Sequence, residues 1–167
     1  MKQSNIINKS IEEFHIPRWE ELPDLDLYLD QIVTILEKYL EPYIGNKEEK
    51  IITKTMINNY VKQEVIQPPV KKKYNRTHIA YLFVICILKQ IYSINDISQL
   101  IKLAIQTCSI EEGYNKFCLE LEKSINLVFK GKQYEENEEI SSQRYILKNV
   151  VQSFANKLYV EREFLYK

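Results

Sequence analysis

Apolar residues recur at helical spacing along most of this 167-residue chain, and short polar stretches separate the periodic segments. The pattern predicts helices over residues 24–41, 54–63, 77–92, 95–107, 109–130 and 141–161. Polar residues 46–50 and acidic residues 132–139 predict linkers. The segment 77–92, capped by Asn75 or Thr77, is apolar around nearly its whole circumference, which is typical of a helix buried on most sides. We therefore expect a mainly helical fold built around this segment.

The first predicted helix follows Pro23 and has three aspartates near its start. Asp24, Asp26 and Asp30 favour the positive end of a helix, and their spacing lacks the glycine and distal glutamate of a calcium loop. The apolar positions of residues 24–41 predict a stripe that faces the core: Leu25, Leu29, Ile32, Val33, Leu36 and Leu40.

Residues 64–76 interrupt the helical pattern. Pro68 and Pro69 separate two short apolar patches, and three lysines follow them. A Pro-Pro step cannot lie inside a helix, so the segment favours a small hairpin or a looped wing. A short helix, a wing, a long buried helix and a further capped helix, in that order, form the arrangement of a winged helix-turn-helix unit.

The helix predicted over residues 54–63 has two distinct faces. Met56, Ile57, Tyr60 and Val61 form the inward stripe, and two adjacent asparagines lie on the other side. Asparagine is a poor helix former, but it offers a donor and an acceptor to adenine in the major groove, while lysine binds phosphate. We predict DNA contacts from this helix and the wing: Lys54, Thr55, Asn58, Asn59, Lys62, Lys71, Lys72, Lys73, Tyr74 and Arg76. An ordinary surface helix remains the alternative.

The uneven distribution of charge along the chain favours binding of an anionic partner to one region. The chain has 23 basic and 23 acidic residues, but residues 47–80 carry eight basic and three acidic ones, and the flanking regions are acidic. Such a basic island can bind an anionic polymer while the whole protein stays neutral, or it can be a solvated surface. The small numbers of glycines and prolines, 3 and 5, argue against a sandwich or barrel.

Three segments carry a resemblance to MerR-like winged-helix regulators. Residues 56–69, which read MINNYVKQEVIQPP, resemble the second helix and wing entry of that family. Residues 73–79 resemble its wing exit and next helix, and residues 91–97 resemble its segment of aromatic, serine, apolar residue and acidic helix start. Two positions differ: Asn58 stands where the family usually has arginine, and Glu64 where it has glycine. The whole chain also resembles a domain-of-unknown-function family of low-GC Gram-positive bacteria, through the core TKTMINNY at residues 53–60.

The resemblance implies a fold class and a domain organisation. We expect an all-α, mainly helical protein with a winged helix-turn-helix and a small β wing. An arm over residues 1–22 would precede the MerR-like domain at 23–108, and helices over 109–167 would dimerise or bind an effector. The function expected is a sequence-specific transcriptional regulator that binds double-stranded DNA as a homodimer. The alternative is a protein-interaction module on the same scaffold without DNA binding.

Other chemistry is not indicated. The chain has no Gly-rich phosphate loop, Cys-x-x-Cys, His-Glu-x-x-His or Gly-x-Ser-x-Gly motif, and its two histidines, His15 and His78, are far apart. Cys86 and Cys118 lie among apolar residues, so we expect buried free thiols in a reducing cytosol. The longest strongly apolar run, 79–88, is too short to span a bilayer. We therefore expect a cytoplasmic protein with no membrane association that is not an enzyme and has no cofactor or metal.

Overall fold

The computed structural model describes residues 11–44, 49–135 and 140–165. Within them lie a small antiparallel sheet, formed by β1 (Leu27–Tyr28) and β2 (Lys73–Tyr74), and six α-helices: α1 (Leu29–Leu40), α2 (Lys54–Lys62), α3 (Arg76–Leu88), α4 (Ile94–Ile105), α5 (Ile110–Phe129) and α6 (Ser142–Val160). A 3-10 turn covers Trp19–Glu21, and a π-helical turn, Glu161–Leu165, follows α6. The mainly helical prediction is confirmed for this part of the chain. Residues 1–10 of the predicted arm, 46–48 of the polar loop and 136–139 of the acidic linker lie outside the described residues.

The chain divides into two compact units. One is Ile16–Asn115, and the other combines the residues up to His15 with Lys116–Lys167. Helix α5 contributes its first residues to the former and the rest to the latter. The domain boundaries predicted at 22/23 and 108/109 stay a prediction.

Helix α3 forms the centre of the unit Ile16–Asn115. Nine of its side chains are buried: His78, Ile79, Ala80, Leu82, Phe83, Ile85, Cys86, Ile87 and Leu88. The predicted burial on most sides is thus confirmed, but the helix ends at Leu88 rather than at Tyr92. The N–H groups of Gln90 and Ile91 donate to carbonyls only three residues back, which tightens the chain into a turn before Ser93 caps α4.

The start of the first predicted helix was wrong. Residues 24–28 are not helical; Leu27 and Tyr28 form β1, and they pair with Tyr74 and Lys73 respectively. Leu25, predicted for the core, is 75% exposed. The strand has only two residues, too few to show an alternating pattern of its own, and its pairing with β2 holds it.

The segment predicted as a small hairpin or looped wing contains a two-residue turn. Val70 and Lys73 exchange two backbone hydrogen bonds of 3.0 Å, so Lys71 and Lys72 occupy the tip. Both have left-handed backbone angles, with φ of 51° and 64°, as a type I′ hairpin turn requires. The strand that follows pairs with β1 rather than with the apolar patch before Pro68.

Helix α2 ends in a Schellman motif built around Glu64. The Glu64 N–H donates to Val61 O at 3.0 Å, and the Val65 N–H donates to Tyr60 O at 2.9 Å. Glu64 itself has a φ of 58°, in a position that glycine most often fills. A glutamate at this position therefore makes the end of the helix less stable than a glycine would.

The buried imidazole of His78 joins three segments. Its Nδ1 accepts from the Asn75 N–H at 3.0 Å, while Asn75 Oδ1 accepts from the His78 N–H at 3.1 Å. Its Nε2 lies 3.0 Å from the carbonyl oxygen of Gln67, and its ring meets the ring of Tyr74 edge-on, with centroids 5.2 Å apart. The ring thus caps the start of α3 and also holds the loop before the turn.

The second unit, described by itself, is formed by the later part of α5 and by α6. Phe117, Cys118, Leu121 and Ile125 are buried on α5, and five residues are buried on α6: Val150, Val151, Phe154, Ala155 and Leu158. Several large apolar side chains of this unit are exposed instead: Leu119, Tyr145, Ile146, Tyr159, Val160, Phe164 and Leu165. Of these, Tyr145 and Ile146 are 61% and 39% exposed.

We expect His78→Ala to lower the free energy of unfolding by about 2–4 kcal/mol, because two partly buried backbone groups lose their partners and the buried ring leaves a cavity. Chemical denaturation followed by circular dichroism measures this change. Thr77→Ala, at the neighbouring helical position, is the matched control and should change it by less than about 0.5 kcal/mol. Equal losses in the two variants would contradict the role given to the imidazole.

Candidate nucleic-acid interface

Helix α2 presents a polar face to solvent. Thr53 Oγ1 caps its N-terminus by accepting from the Met56 N–H at 3.1 Å, and Ile57 and Tyr60 anchor the opposite face in the core. The predicted outward residues are all exposed: Lys54, Thr55, Asn58, Asn59 and Lys62. At 3.6 residues per turn they span an arc of about 140°. The sequence prediction of which side chains face outward on this helix is confirmed.

The turn after Pro69 adds two exposed ammonium groups. Lys71 and Lys72 lie at its tip and are exposed. Lys73 differs, because it belongs to β2, is only partly exposed, and its Nζ lies 5.2 Å from the centroid of the Tyr28 ring. The three lysines therefore do not act as one group: two project at the tip and one lies over the sheet.

An open depression of about 430 Å³ brings the helix and the turn together. Its lining comes from β1, α1, α2, the turn and β2: Tyr28, Leu29, Asp30, Lys54, Asn58, Pro69, Lys72 and Tyr74. Lys54 and Asn58 were predicted from the helix, and Lys72 and Tyr74 from the wing. Four residues predicted from two separate segments of the sequence thus line one concavity.

Asp30 lies in the same depression and was missed as a site residue. It lies in the first turn of α1, and its carboxylate forms an ion pair with the Lys54 ammonium group. Both side chains are largely exposed, at 73% for Asp30 and 59% for Lys54. No sequence pattern predicts this pair, because the two residues are far apart along the chain and only the fold brings them together.

Two predicted contact residues are oriented toward the protein itself. Tyr74 is 3% exposed, and burial raises the pKa of its hydroxyl. Arg76 packs 5.7 Å from the Trp19 ring centroid, and its Nη2 lies 3.4 Å from both Asp24 Oδ1 and the Leu22 carbonyl oxygen. The Arg76 side chain is 27% exposed. Both residues hold the strand and the start of α3 in place rather than facing outward.

The part of the chain that the structure describes offers few groups for other kinds of site. All three cysteines are free, and burial raises the pKa of the Cys86 thiol to about 12, which keeps it protonated and unreactive. No cluster of three or more histidine, cysteine, aspartate or glutamate side chains among these residues could hold a metal ion. None of the helices in the described ranges is long and apolar enough to cross a membrane.

Comparison with known proteins gives one match. Residues 17–117, more than half of the chain, match the model of a family described as a domain of unknown function, DUF1836. The matched stretch coincides closely with the compact unit Ile16–Asn115 that carries the depression. No curated protein and no solved structure matches the chain. The match confirms the expected resemblance to a family without assigned function and does not extend it to MerR-like regulators, so the chain belongs to the DUF1836 family.

Proposed function

We propose that the unit Ile16–Asn115 is a winged helix that binds double-stranded DNA, and that the protein is a cytoplasmic transcriptional regulator of the MerR-like type. The element order supports this reading: a short strand, two helices, a tight hairpin turn, a returning strand and two more helices. In this proposal α1 and α2 are the helix-turn-helix pair, and the turn at Lys71 and Lys72 is the wing.

The observation that carries the proposal is the backbone conformation of the turn. Lys71 and Lys72 both have positive φ, which places the Cβ of an L residue close to its own backbone and costs about 1 kcal/mol or more at each position. Asparagine and glycine adopt the same turn at lower cost. Strained positions of this kind concentrate at functional sites. Two ammonium groups at a strained, exposed tip are what contact with a phosphate backbone would require.

The exposed face of α2 supplies the second half of the interface. We propose that Asn58 and Asn59 read base edges in the major groove, while Lys54, Thr55 and Lys62 contact phosphates. Lys71 and Lys72 would contact the flanking backbone or minor groove, with Lys73 beside them. Tyr74 and Arg76 act as supports, since one is buried and the other is engaged by Trp19 and Asp24.

The second unit offers a surface for self-association. Its exposed apolar side chains include Tyr145, Phe164 and Leu165, at 61%, 78% and 57% exposure. We propose that these residues join two copies of the chain. A two-fold homodimer of DNA-binding units would bind a pseudo-palindromic site.

A protein-interaction module without DNA binding is the second candidate. Asp30 pairs with Lys54, and Glu64 is exposed at the end of α2, so carboxylates lie within the basic region. These charges would favour a partner of mixed charge over a polyanion. Purification of a stable protein complex that carries no DNA would select this function.

The double variant Lys71→Asn with Lys72→Gly separates strain from function. We expect the free energy of unfolding to rise by about 1–2 kcal/mol, because both residues suit a type I′ turn. DNA affinity should fall, and the slope of log K against log salt should fall in magnitude by about 2, because two phosphate contacts are lost. Replacing both lysines by arginine keeps the charge and is the control. A stabilised variant with unchanged affinity and slope would contradict the wing assignment.

Asn58→Ala and Asn59→Ala test the reading of bases. A preferred duplex is first selected from a random-sequence pool. For each variant, the difference in binding free energy between that duplex and a mixed-sequence duplex should shrink by about 1–3 kcal/mol. The salt slope should stay unchanged, because asparagine carries no charge. Asn95→Ala, an exposed asparagine in the first turn of α4, is the matched control. Failure of the parent protein to enrich any duplex would count against DNA recognition.

Phe164→Ser with Leu165→Ser tests self-association. Sedimentation equilibrium should give a dimer mass for the parent protein and a shift toward the 20.0 kDa monomer for the variant. Leu25→Ser, which changes a similarly exposed apolar residue of the other unit, should leave the dimer intact. A parent protein that is monomeric at micromolar concentration would refute the dimer.

A further inference from the structure

Lys54 occupies an unfavourable position for a cation. It is the first residue of α2, where unpaired N–H groups give the helix a partial positive charge, and the first turn of α2 contains no acidic residue. A carboxylate from another element pairs with this cation: Asp30, in the first turn of α1, forms an ion pair with the Lys54 ammonium group. The Lys54 ammonium group is thus already paired within the free protein.

The same ion pair lies in the depression that joins α2 to the turn. Among the described residues that line it, Asp30 is the single carboxylate, together with two ammonium groups, those of Lys54 and Lys72. In the proposed complex a DNA strand passing between helix and wing would bring a phosphate to this place. A phosphate and the Asp30 carboxylate would then compete for the same ammonium group.

We propose that Asp30 is an internal mimic of a DNA phosphate, and that it restrains binding to nonspecific duplex by occupying Lys54. This inference rests on the proposed DNA-binding function and adds a determinant of specificity to it. A duplex has to displace the Asp30 carboxylate before Lys54 can contact a phosphate. Phosphate contacts alone therefore give only weak binding of duplex. Tight binding then depends more strongly on the base contacts from Asn58 and Asn59.

The size of the effect follows from the exposure of the pair. Because both side chains are largely exposed, the ion pair is weak, and its removal should change affinity only about two- to five-fold. The salt dependence is the more diagnostic quantity. If Lys54 gains a phosphate that it otherwise shares with Asp30, the slope of log K against log salt should steepen by up to about 0.9.

The test uses the full chain carrying Asp30→Asn, a labelled mixed-sequence duplex and fluorescence anisotropy over a series of KCl concentrations. We expect tighter binding by about two- to five-fold and a steeper salt slope. Asp26→Asn removes the same charge four residues earlier, at an exposed position without an ion pair among the described residues, and should change both quantities less. The gain from Asp30→Asn should disappear in a Lys54→Ala background.

The outcomes separate this inference from the function on which it rests. Equal gains from Asp30→Asn and Asp26→Asn, or a gain that persists without Lys54, would mean that only net charge matters and would overturn the mimic. If the parent protein binds duplex and Asp30→Asn changes neither the affinity nor the salt slope, the mimic is overturned and DNA binding stays in place. If neither protein binds duplex at any salt concentration, DNA binding fails and the mimic fails with it. Melting curves of all variants verify that each is folded.

Discussion

The arrangement of the candidate interface depends on the buried imidazole of His78. A backbone N–H can only donate and a backbone carbonyl can only accept, so His78 accepts at Nδ1 from Asn75 and donates at Nε2 to Gln67. Both hydrogen bonds are made by the same buried ring. Through them the start of α3, strand β2 and the loop before the turn keep a fixed relation, and the position of Lys71 and Lys72 relative to α2 follows from it.

The surface around this anchor is built from features that cost stability. Glu64, Lys71 and Lys72 have left-handed backbone angles, where glycine or asparagine would be less strained. Asn58 and Asn59 are poor helix formers on the exposed face of a nine-residue helix. The rest of the unit offsets these costs through the buried apolar residues of α3. Local strain on a stable scaffold is the pattern that a binding surface commonly has.

The depression contains charges of both signs, so it both attracts an anion and limits that attraction. Lys54 and Lys72 attract an anion, and Asp30 occupies one of them. Lys71 and Lys72 are exposed at the tip of the turn. The cations of Lys73 and Arg76, by contrast, lie over aromatic rings within the same unit. The net positive charge counted along residues 47–80 therefore overstates the charge that a polyanion would meet, because part of it is already engaged by neighbouring groups of the protein.

Several elements could be predicted from the amino-acid sequence because their signals are local. Helical periodicity predicted the buried helix α3 and the two faces of α2, because burial follows from residue spacing over a few turns. The same signals predicted a small hairpin or looped wing over residues 64–76, but they did not predict β1 or its pairing with β2. A two-residue strand exists only through its partner, and β2, the partner of β1, lies far along the chain.

Tertiary structure alone decided the remaining features of the site. The left-handed backbone of Lys71 and Lys72 contradicts the local preference of lysine, so only the surrounding fold can impose it. The inward orientation of Tyr74 and the Asp30–Lys54 ion pair likewise depend on segments that are distant in sequence. Local spacing carries no information about such contacts, because only the folded chain brings their partners together.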